Sequence, residues 1–266
     1  MLRKHVARLV ASLAAATTTT LILAVPAQAA GAVHYVALGD SYSSGVGAGT
    51  EIASSGSCRR TTGAYPEQWA AANNPASYVS VACSGATTTS VINSQLSALS
   101  AQTTLVSITV GGNDLGFSDI MTTCVVYGTT QCVNSVNAAM TRARNELPGL
   151  LSAVYSRISQ RAPNARVVVL GYPIFYKLGT FCIGLSETSR AKINEGINLI
   201  DDITRSVAQQ HGFVFADVRP IFTGHEICSG DKWLHALNWT NISVSYHPNL
   251  KGQTLGYYPV FDQAAD

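Results

Sequence analysis

Residues 165–173 read ARVVVLGYP, and this stretch indicates the class of fold. Three valines and a leucine follow one another without a polar interruption, as in strands that are buried on both faces of a parallel sheet. Similar short apolar runs recur along the chain. The predicted strands are Val33–Leu38, Tyr78–Ala82, Leu105–Val110, Arg166–Leu170 and Phe213–Ala216.

Helical patterns lie between these strands, and a last helix is expected after Pro248. The longest amphipathic pattern places Ile193, Ile197, Ile200 and Ile203 on one face. Alternation of strands and helices predicts an α/β fold with helices on both faces of a five-stranded parallel sheet, and ligands beyond the carboxyl ends of its strands. The predicted helices are Tyr65–Ala72, Ser90–Leu99, Ser135–Gln160 and Glu187–Gln210.

The first 29 residues have the pattern of a secretory signal peptide. A basic start is followed by an apolar stretch and by the small residues Ala27-Gln28-Ala29, after which signal peptidase cuts. The apolar stretch is short for a membrane span and is interrupted by four threonines. We therefore expect a secreted, extracellular protein in which residues 30–266 form one domain without an integral membrane segment.

Removal of the signal peptide changes the charge balance. Three of the 17 basic residues lie in it and none of the 15 acidic ones do, so 14 basic and 15 acidic side chains remain, a net charge of −1. A nearly neutral chain does not favour nucleic acid or an anionic membrane surface as a partner. We expect a monomer.

Six cysteines follow the signal peptide, and an even number in an exported chain favours disulfides. No C-x-x-C pair occurs, which argues against a zinc or redox motif. Pairing in sequence order is the least demanding of the fifteen possible connectivities. Spacing alone supports only the short Cys124–Cys132 loop.

Unusual tripeptides follow the first three predicted strands: Gly39-Asp40-Ser41, Cys83-Ser84-Gly85 and Gly111-Gly112-Asn113. Because the carboxyl ends of parallel strands share one edge of the sheet, these loops are predicted to meet in one crevice. Ser41 becomes a nucleophile only if a base takes its proton, and His247, in a turn before Pro248, can reach back to the crevice.

Hydrolysis of an acyl group also needs donors for the oxyanion. The main-chain N–H groups of Ser41 and Gly85 and the side-chain amide of Asn113 are the candidates. Glycine at position 85 lets a substrate approach the main chain, and an asparagine amide stays uncharged at every pH. Asp40 and Asp114, beside these residues, are interpreted as helix caps or turn anchors.

The sequences GDSYSSG, ACSGAT, GGND and SYHP together resemble the four conserved blocks of the SGNH (GDSL) hydrolases, and in particular the secreted actinobacterial lipases, phospholipases A and esterases of that family. The resemblance extends from Val33 to about Val260. It implies a flavodoxin-like three-layer α/β/α sandwich and a serine esterase without a cofactor or metal. Ser41 is then the nucleophile, His247 the base, and Ser41, Gly85 and Asn113 the oxyanion hole.

The resemblance also implies three disulfides: Cys58–Cys83, Cys124–Cys132 and Cys182–Cys228. The chain departs from the family pattern at one position, because most members have Asp-x-x-His and Val244 replaces the aspartate. Some secreted actinobacterial members use a main-chain carbonyl instead. We therefore assign the orientation of His247 to the carbonyl of Ser245, with that of Val244 as the alternative, and expect a Ser–His dyad.

Two other sites are disfavoured. The glycines of GVGAG lack the G-x-G-x-x-G spacing of a dinucleotide-binding loop, and no acidic residue ends the second strand. A metal site made by His225, Glu226, Cys228 and His235 fits no ligand spacing that we can justify, and a surface loop held by a disulfide explains these residues better.

The expected substrate is a lipid or another acyl ester. Apolar residues in or near the strand-end loops suit an acyl chain, and we expect an open crevice without a lid helix. A carbohydrate-ester deacetylase on the same fold and a non-catalytic extracellular binding domain are the alternatives. The apolar residues are Tyr42, Leu115, Phe117, Ile120, Phe175, Tyr176 and Phe181.

Overall fold

The computed structural model describes residues 32–266, so the predicted signal peptide lies outside the described residues. Five strands form one parallel sheet in the order β2-β1-β3-β4-β5, as in flavodoxin-like folds. This confirms the predicted fold class. The strands are β1 His34–Gly39, β2 Ser77–Ser80, β3 Leu105–Thr109, β4 Arg166–Leu170 and β5 Val214–Ala216.

Eight α-helices connect or cover the strands within residues 32–266. They are α1 Ser41–Ser44, α2 Tyr65–Asn73, α3 Thr88–Ser90, α4 Phe117–Val126, α5 Gly128–Arg161, α6 Glu187–Gln210, α7 Arg219–Phe222 and α8 Tyr258–Ala265.

Side chains alternate across the central strands and build a core on each face of the sheet. Val36 of β1 and Ile108 of β3 pack on the face covered by α5, together with Leu151. On the other face, the ring of Tyr35 packs against those of Trp69 in α2 and Phe261 in α8. These two layers leave the carboxyl ends of the strands open between them.

Two predicted helices differ from the structure. Of the predicted helix Ser90–Leu99 only Ser90 lies in an α-helix, as the last residue of α3, and the chain continues as a π turn, Val91–Gln95, and a 3₁₀ turn, Leu96–Ala98. The helix predicted to begin at Ser135 begins at Gly128, so it includes Cys132. In this part of the chain no helix is long and apolar enough to cross a membrane.

One helix that borders the crevice, α4, was not among the predicted helices. Helix α4 begins directly after Gly116, whose φ of 77° ends the GGND turn. Its apolar residues Phe117, Ile120, Met121 and Val125 recur at helical spacing and face the cavity described below. The disulfide between Cys124 and Cys132 joins α4 to α5.

Candidate active site

Ser41 lies at the first position of α1, directly beyond the carboxyl end of β1. The strand must turn sharply here, and Gly39 permits this with a φ of 122°. A Cβ at Gly39 would lie 2.5 Å from the carbonyl oxygen of Thr109 on the neighbouring strand, so no larger residue fits. The turn directs the hydroxyl of Ser41 into the crevice, where Oγ lies 2.7 Å from Nε2 of His247.

Asp40 anchors this turn and does not contact His247. Its carboxylate caps α1 by accepting the N–H of Tyr42 at 2.9 Å. It also accepts the hydroxyls of Thr109 at 2.6 Å and Tyr172 at 2.5 Å. Burial raises the pKa of Asp40 to about 6, although all three hydrogen bonds act in the opposite direction. The interpretation of Asp40 as a helix cap is thus confirmed.

A rigid turn holds His247 opposite Ser41. The N–H of His235 donates to the carbonyl of His247, and the N–H of Tyr246 donates to the carbonyl of His235, both at 2.9 Å. Tyr246 takes a φ of 67°, which turns the chain between the two. The Tyr42 hydroxyl donates to the Tyr246 carbonyl at 2.7 Å and so ties the turn to α1.

Burial lowers the pKa of His247 to about 4, so the ring is neutral at physiological pH. The carbonyls of Val244 and Ser245 counter part of this effect by raising the pKa. Neither reaches the buried Nδ1 atom with hydrogen-bond geometry, and Nδ1 has no other partner within residues 32–266. The Val244 carbonyl already accepts the N–H of His247 at 3.2 Å.

The loops after β2 and β3 are fixed to each other across the crevice. Asp114 accepts both the N–H and the hydroxyl of Thr88, at 3.0 and 2.5 Å. The side-chain amide of Asn113 donates to the carbonyl of Ala86 at 3.0 Å. Asp114 is therefore a turn anchor, as predicted, and the Asn113 amide has a fixed position beside the cavity that contains Ser41.

Gly85 lies in the first of these loops with a φ of 77°, and no heavy atom lies within 4 Å of the position of a Cβ. It borders the same cavity as Ser41 and Asn113. The disulfide between Cys58 and Cys83 and the hydrogen bond from Ser84 N to the Cys58 carbonyl, at 3.0 Å, hold the loop. The structure thus brings together all the residues that the sequence assigned to nucleophile, base and oxyanion hole.

One cavity of about 560 Å³ begins at Ser41 and extends between helices. Its polar end contains Ser41, Gly85, Asn113 and His247. Its remaining walls are apolar and come mainly from α4, α5 and α6. These residues include Phe117, Ile120, Met121, Val125, Val136, Ala139, Met140, Ile193, Ile197 and Ile200.

Sequence analysis missed most of this wall, although the spacing of apolar residues in α4 was a usable signal. Of the aromatic residues expected near the site, Tyr42, Phe117 and Phe175 line the cavity. Tyr176 and Phe181 do not, since Tyr176 is buried in the adjacent core and Phe181 projects into solvent.

The residues of the disfavoured metal site have other partners. Cys228 is bonded to Cys182, so its sulfur is no free ligand. The ring of His225 stacks on Trp233, and His235 Nε2 lies 2.9 Å from the carbonyl oxygen of Gly47. The six cysteines thus form the three expected disulfides.

Comparison with known proteins agrees with this geometry. Residues 37–255 match the GDSL-like Lipase/Acylhydrolase family. The chain is 54% identical over 252 residues to Lipase 1 of Streptomyces coelicolor, covering 95% of this chain and 94% of that one. The chain therefore belongs to the GDSL-like lipase/acylhydrolase family and is an ester hydrolase.

Two solved structures have the same fold at high identity. Phospholipase A1 from Streptomyces albidoflavus superimposes with a TM-score of 0.87 at 53% identity, and the extracellular lipase from Streptomyces rimosus with 0.86 at 51%. Each match covers 88% of this chain and 100% of the other. The resemblance inferred from the four sequence blocks is confirmed.

Proposed function

We propose that this protein hydrolyses acyl esters of lipids through an acyl-serine intermediate, with a Ser41–His247 dyad as its catalytic centre. The observation that carries the proposal is the 2.7 Å contact between Ser41 Oγ and His247 Nε2 at the polar end of an apolar cavity. A nucleophile within hydrogen-bond reach of a neutral base is the arrangement that acyl transfer requires.

In the first step Ser41 Oγ attacks the ester carbonyl carbon, and His247 Nε2 takes the hydroxyl proton. The C–O bond to the alcohol then breaks, and His247 returns the proton to the leaving oxygen. Water then attacks the carbonyl carbon of the acyl-serine, with His247 again as the base, and the carboxylic acid is released as Ser41 recovers its proton. Each half-reaction needs a neutral imidazole at its start, and the lowered pKa of His247 supplies one.

A main-chain carbonyl takes the role of the aspartate found in a triad. The N–H at His247 Nδ1 has to be directed at an acceptor so that Nε2 is free to accept a proton. We assign that acceptor to the Ser245 carbonyl, because the Val244 carbonyl is already engaged by the N–H of His247. A small rotation of the ring during catalysis would complete this hydrogen bond.

The oxyanion is stabilised by Ser41 N–H, Gly85 N–H and Asn113 Nδ2. An asparagine amide has two N–H donors, and the bond to Ala86 occupies one of them. The second remains for the substrate oxygen. Because the amide is already held in place, little reorganisation is needed when charge develops in the transition state.

A lipid acyl chain is the substrate group that best fits the cavity. The walls contributed by α4, α5 and α6 are apolar over most of their length, whereas a sugar ester would require polar partners. The relatives named lipase and phospholipase A1 support this choice. Of the three tryptophans, Trp69 and Trp233 are buried in the core, which leaves little aromatic platform for a sugar.

We further propose that residues 1–29 direct export and that residues 30–266 act as an extracellular monomer. Three disulfides are typical of an oxidising compartment. The relative from Streptomyces rimosus is described as extracellular. N-terminal sequencing of protein from the culture medium and its mass in solution test these two statements.

The decisive experiment compares the protein with a Ser41→Ala variant on aryl esters of increasing chain length, on triglyceride and on phosphatidylcholine. We expect the wild type to release fatty acid from lipid and the variant to be inactive but folded. Cleavage of acetyl esters alone would favour a carbohydrate-ester deacetylase. Equal activity of the two proteins would refute the assignment of Ser41.

A further inference from the structure

Exposed apolar side chains surround the mouth of the cavity. Val126 and Tyr127 at the end of α4 are 59% and 64% exposed, and Trp239 and Ile242 in the loop 236–245 are 74% and 58% exposed. We call these four residues the rim. Three of them, Val126, Trp239 and Ile242, also line the cavity, so the exposed surface is continuous with the catalytic cleft.

The loop 178–186 adds to this surface. Phe181 and Ile183 are the most exposed large apolar side chains of residues 32–266, at 86% and 88%. The Ser186 hydroxyl lies 2.8 Å from that of Thr129, two residues after Tyr127 of the rim. The end of the loop is thus fixed beside the end of α4. Exposed apolar patches of this kind mark surfaces that bind a partner or a membrane.

These segments carry almost no charge. Residues 178–186 and 236–245 contain no Asp, Glu, Lys or Arg, and residues 117–132 contain only Asp119. With 12% charged residues in the chain, about four would be expected in stretches of this combined length. Within these segments electrostatic attraction to an anionic surface therefore has no source, and apolar contact is the main driving force.

We infer that the rim and the loop 178–186 form a surface that adsorbs to neutral or zwitterionic lipid aggregates, with the mouth of the cavity facing the lipid. The inference rests on the proposed function, since it takes lipid esters as substrates. A second copy of the chain on this surface would close the mouth, whereas a lipid surface would place acyl esters directly at it.

Trp239 provides a direct measurement of this adsorption. The other two tryptophans, Trp69 and Trp233, are only 6% and 7% exposed, so a change in the environment of Trp239 dominates any change in tryptophan emission. In a Ser41→Ala background, which prevents turnover, phosphatidylcholine vesicles should shift the emission to shorter wavelength. The shift should be lost in Trp239→Phe while sedimentation still detects binding.

Substitutions then identify the surface. Trp239→Ser and Phe181→Ser should each weaken sedimentation with phosphatidylcholine vesicles about ten-fold, as expected for removing one large apolar side chain from the contact. Val79→Ser and Leu255→Ser are matched controls, because these residues are 46% and 49% exposed but do not line the cavity. They should bind as the parent does. Binding should be the same at about 0.05 M and about 0.5 M salt.

Several results would overturn the inference: binding confined to anionic vesicles, binding lost at high salt, equal effects of rim and control substitutions, or a dimer dissociated by Trp239→Ser. A short-chain phosphatidylcholine below its aggregation concentration separates this inference from the proposed function. If the wild type hydrolyses this dissolved lipid but does not bind vesicles, the function stands and the adsorbing surface is wrong. If vesicles bind but no lipid ester is cleaved, the proposed function fails instead.

Discussion

Acid should inactivate this enzyme only at a much lower pH than the pH at which an enzyme with an ordinary histidine base loses activity. Burial lowers the pKa of His247 from 6.5 to about 4. At pH 5.5 a base with a pKa of 4 is about 97% neutral, whereas one with a pKa of 6.5 is about 9% neutral. The structure therefore predicts nearly full activity at pH 5.5, roughly ten times that expected from an unperturbed histidine.

The assay is kcat/KM for a dissolved short-chain ester, followed by acid release between about pH 3.5 and pH 8. This parameter reports ionisations of the free enzyme, which is the state that the structure describes. A single acid limb with its midpoint near 4 would support the reasoning. A midpoint near 6.5 would refute it, because desolvation of the ring would then not control its protonation.

Asp40 is the other group close to Ser41 that titrates in this range, with a pKa raised to about 6 by burial. Its carboxylate hydrogen-bonds to Tyr42, Thr109 and Tyr172 and not to His247 or the oxyanion donors, so we expect a small inflection at most. An inflection near 6 that disappears in Asp40→Asn would belong to this carboxyl. The acid limb from His247 should remain in that variant.

Replacing Val244 by aspartate provides an independent test, because it restores the carboxylate that most of the family has at this position. A carboxylate close to the ring should raise the pKa of His247 by about 1–2 units and move the acid limb upward by the same amount. Val244→Asn is the uncharged control of similar size and should leave the limb in place. An unmoved limb in a folded Val244→Asp variant would contradict the equivalence of position 244 with the aspartate of most family members.

Four further outcomes are expected. Asn113→Ala should lower kcat by about 10²–10³ with little change in KM, as for other oxyanion donors, in steady-state kinetics. Between pH 7 and pH 4.5 the free energy of unfolding of the wild type should fall by about 2.5 kcal/mol more than that of His247→Asn, as measured by urea unfolding. The reason is that a native-state pKa of about 4 against 6.5 in the unfolded chain makes folding less favourable as the pH falls. Tyr172→Phe should lower kcat more than Tyr257→Phe, because the Tyr172 hydroxyl bonds both the nucleophile turn and the GGND loop, whereas that of Tyr257 bonds only the carbonyl of Gly171. No folded Asp→Asn or Glu→Gln variant should lose activity through misorientation of the histidine, and an inactive one with a disordered imidazole would contradict the dyad.

The sequence predicted best those elements whose apolar pattern is unambiguous. β4 and α6 were predicted with the bounds that the structure has, because a continuous apolar run and a full amphipathic period leave little choice. β2 was predicted to begin one residue too late and to end two residues too late, because only Tyr78 and Ser80 are half-buried and the alternate residues Ser77 and Val79 are exposed. Helix α4 was overlooked because the glycine before it resembles the end of a turn rather than a helix start, and no side chain caps it.

The composition of the site was predictable, but its cavity was not. Glycine, serine and asparagine at strand ends and a histidine before a proline can be recognised from local sequence, without knowledge of packing. The apolar wall depends on how α4, α5 and α6 lie against one another, and no single segment specifies this. The exposed side chains of the rim have the same apolar character as core residues. The sequence therefore does not distinguish the exposed Trp239 from the buried Trp233.

The missing aspartate and the low pKa of His247 are consequences of one environment. An aspartate at Val244 would favour the imidazolium and raise the pKa toward the neutral range, at the cost of burying a second charge. Here burial without a carboxylate lets the neutral form of the ring persist into acid. In the proposed dyad, the imidazolium formed during turnover would be stabilised only by carbonyl dipoles, and this weaker stabilisation would be the counterpart of a base that remains available at low pH. Val244→Asp tests this relation directly, since it should raise kcat at pH 8 while it narrows the active range on the acid side.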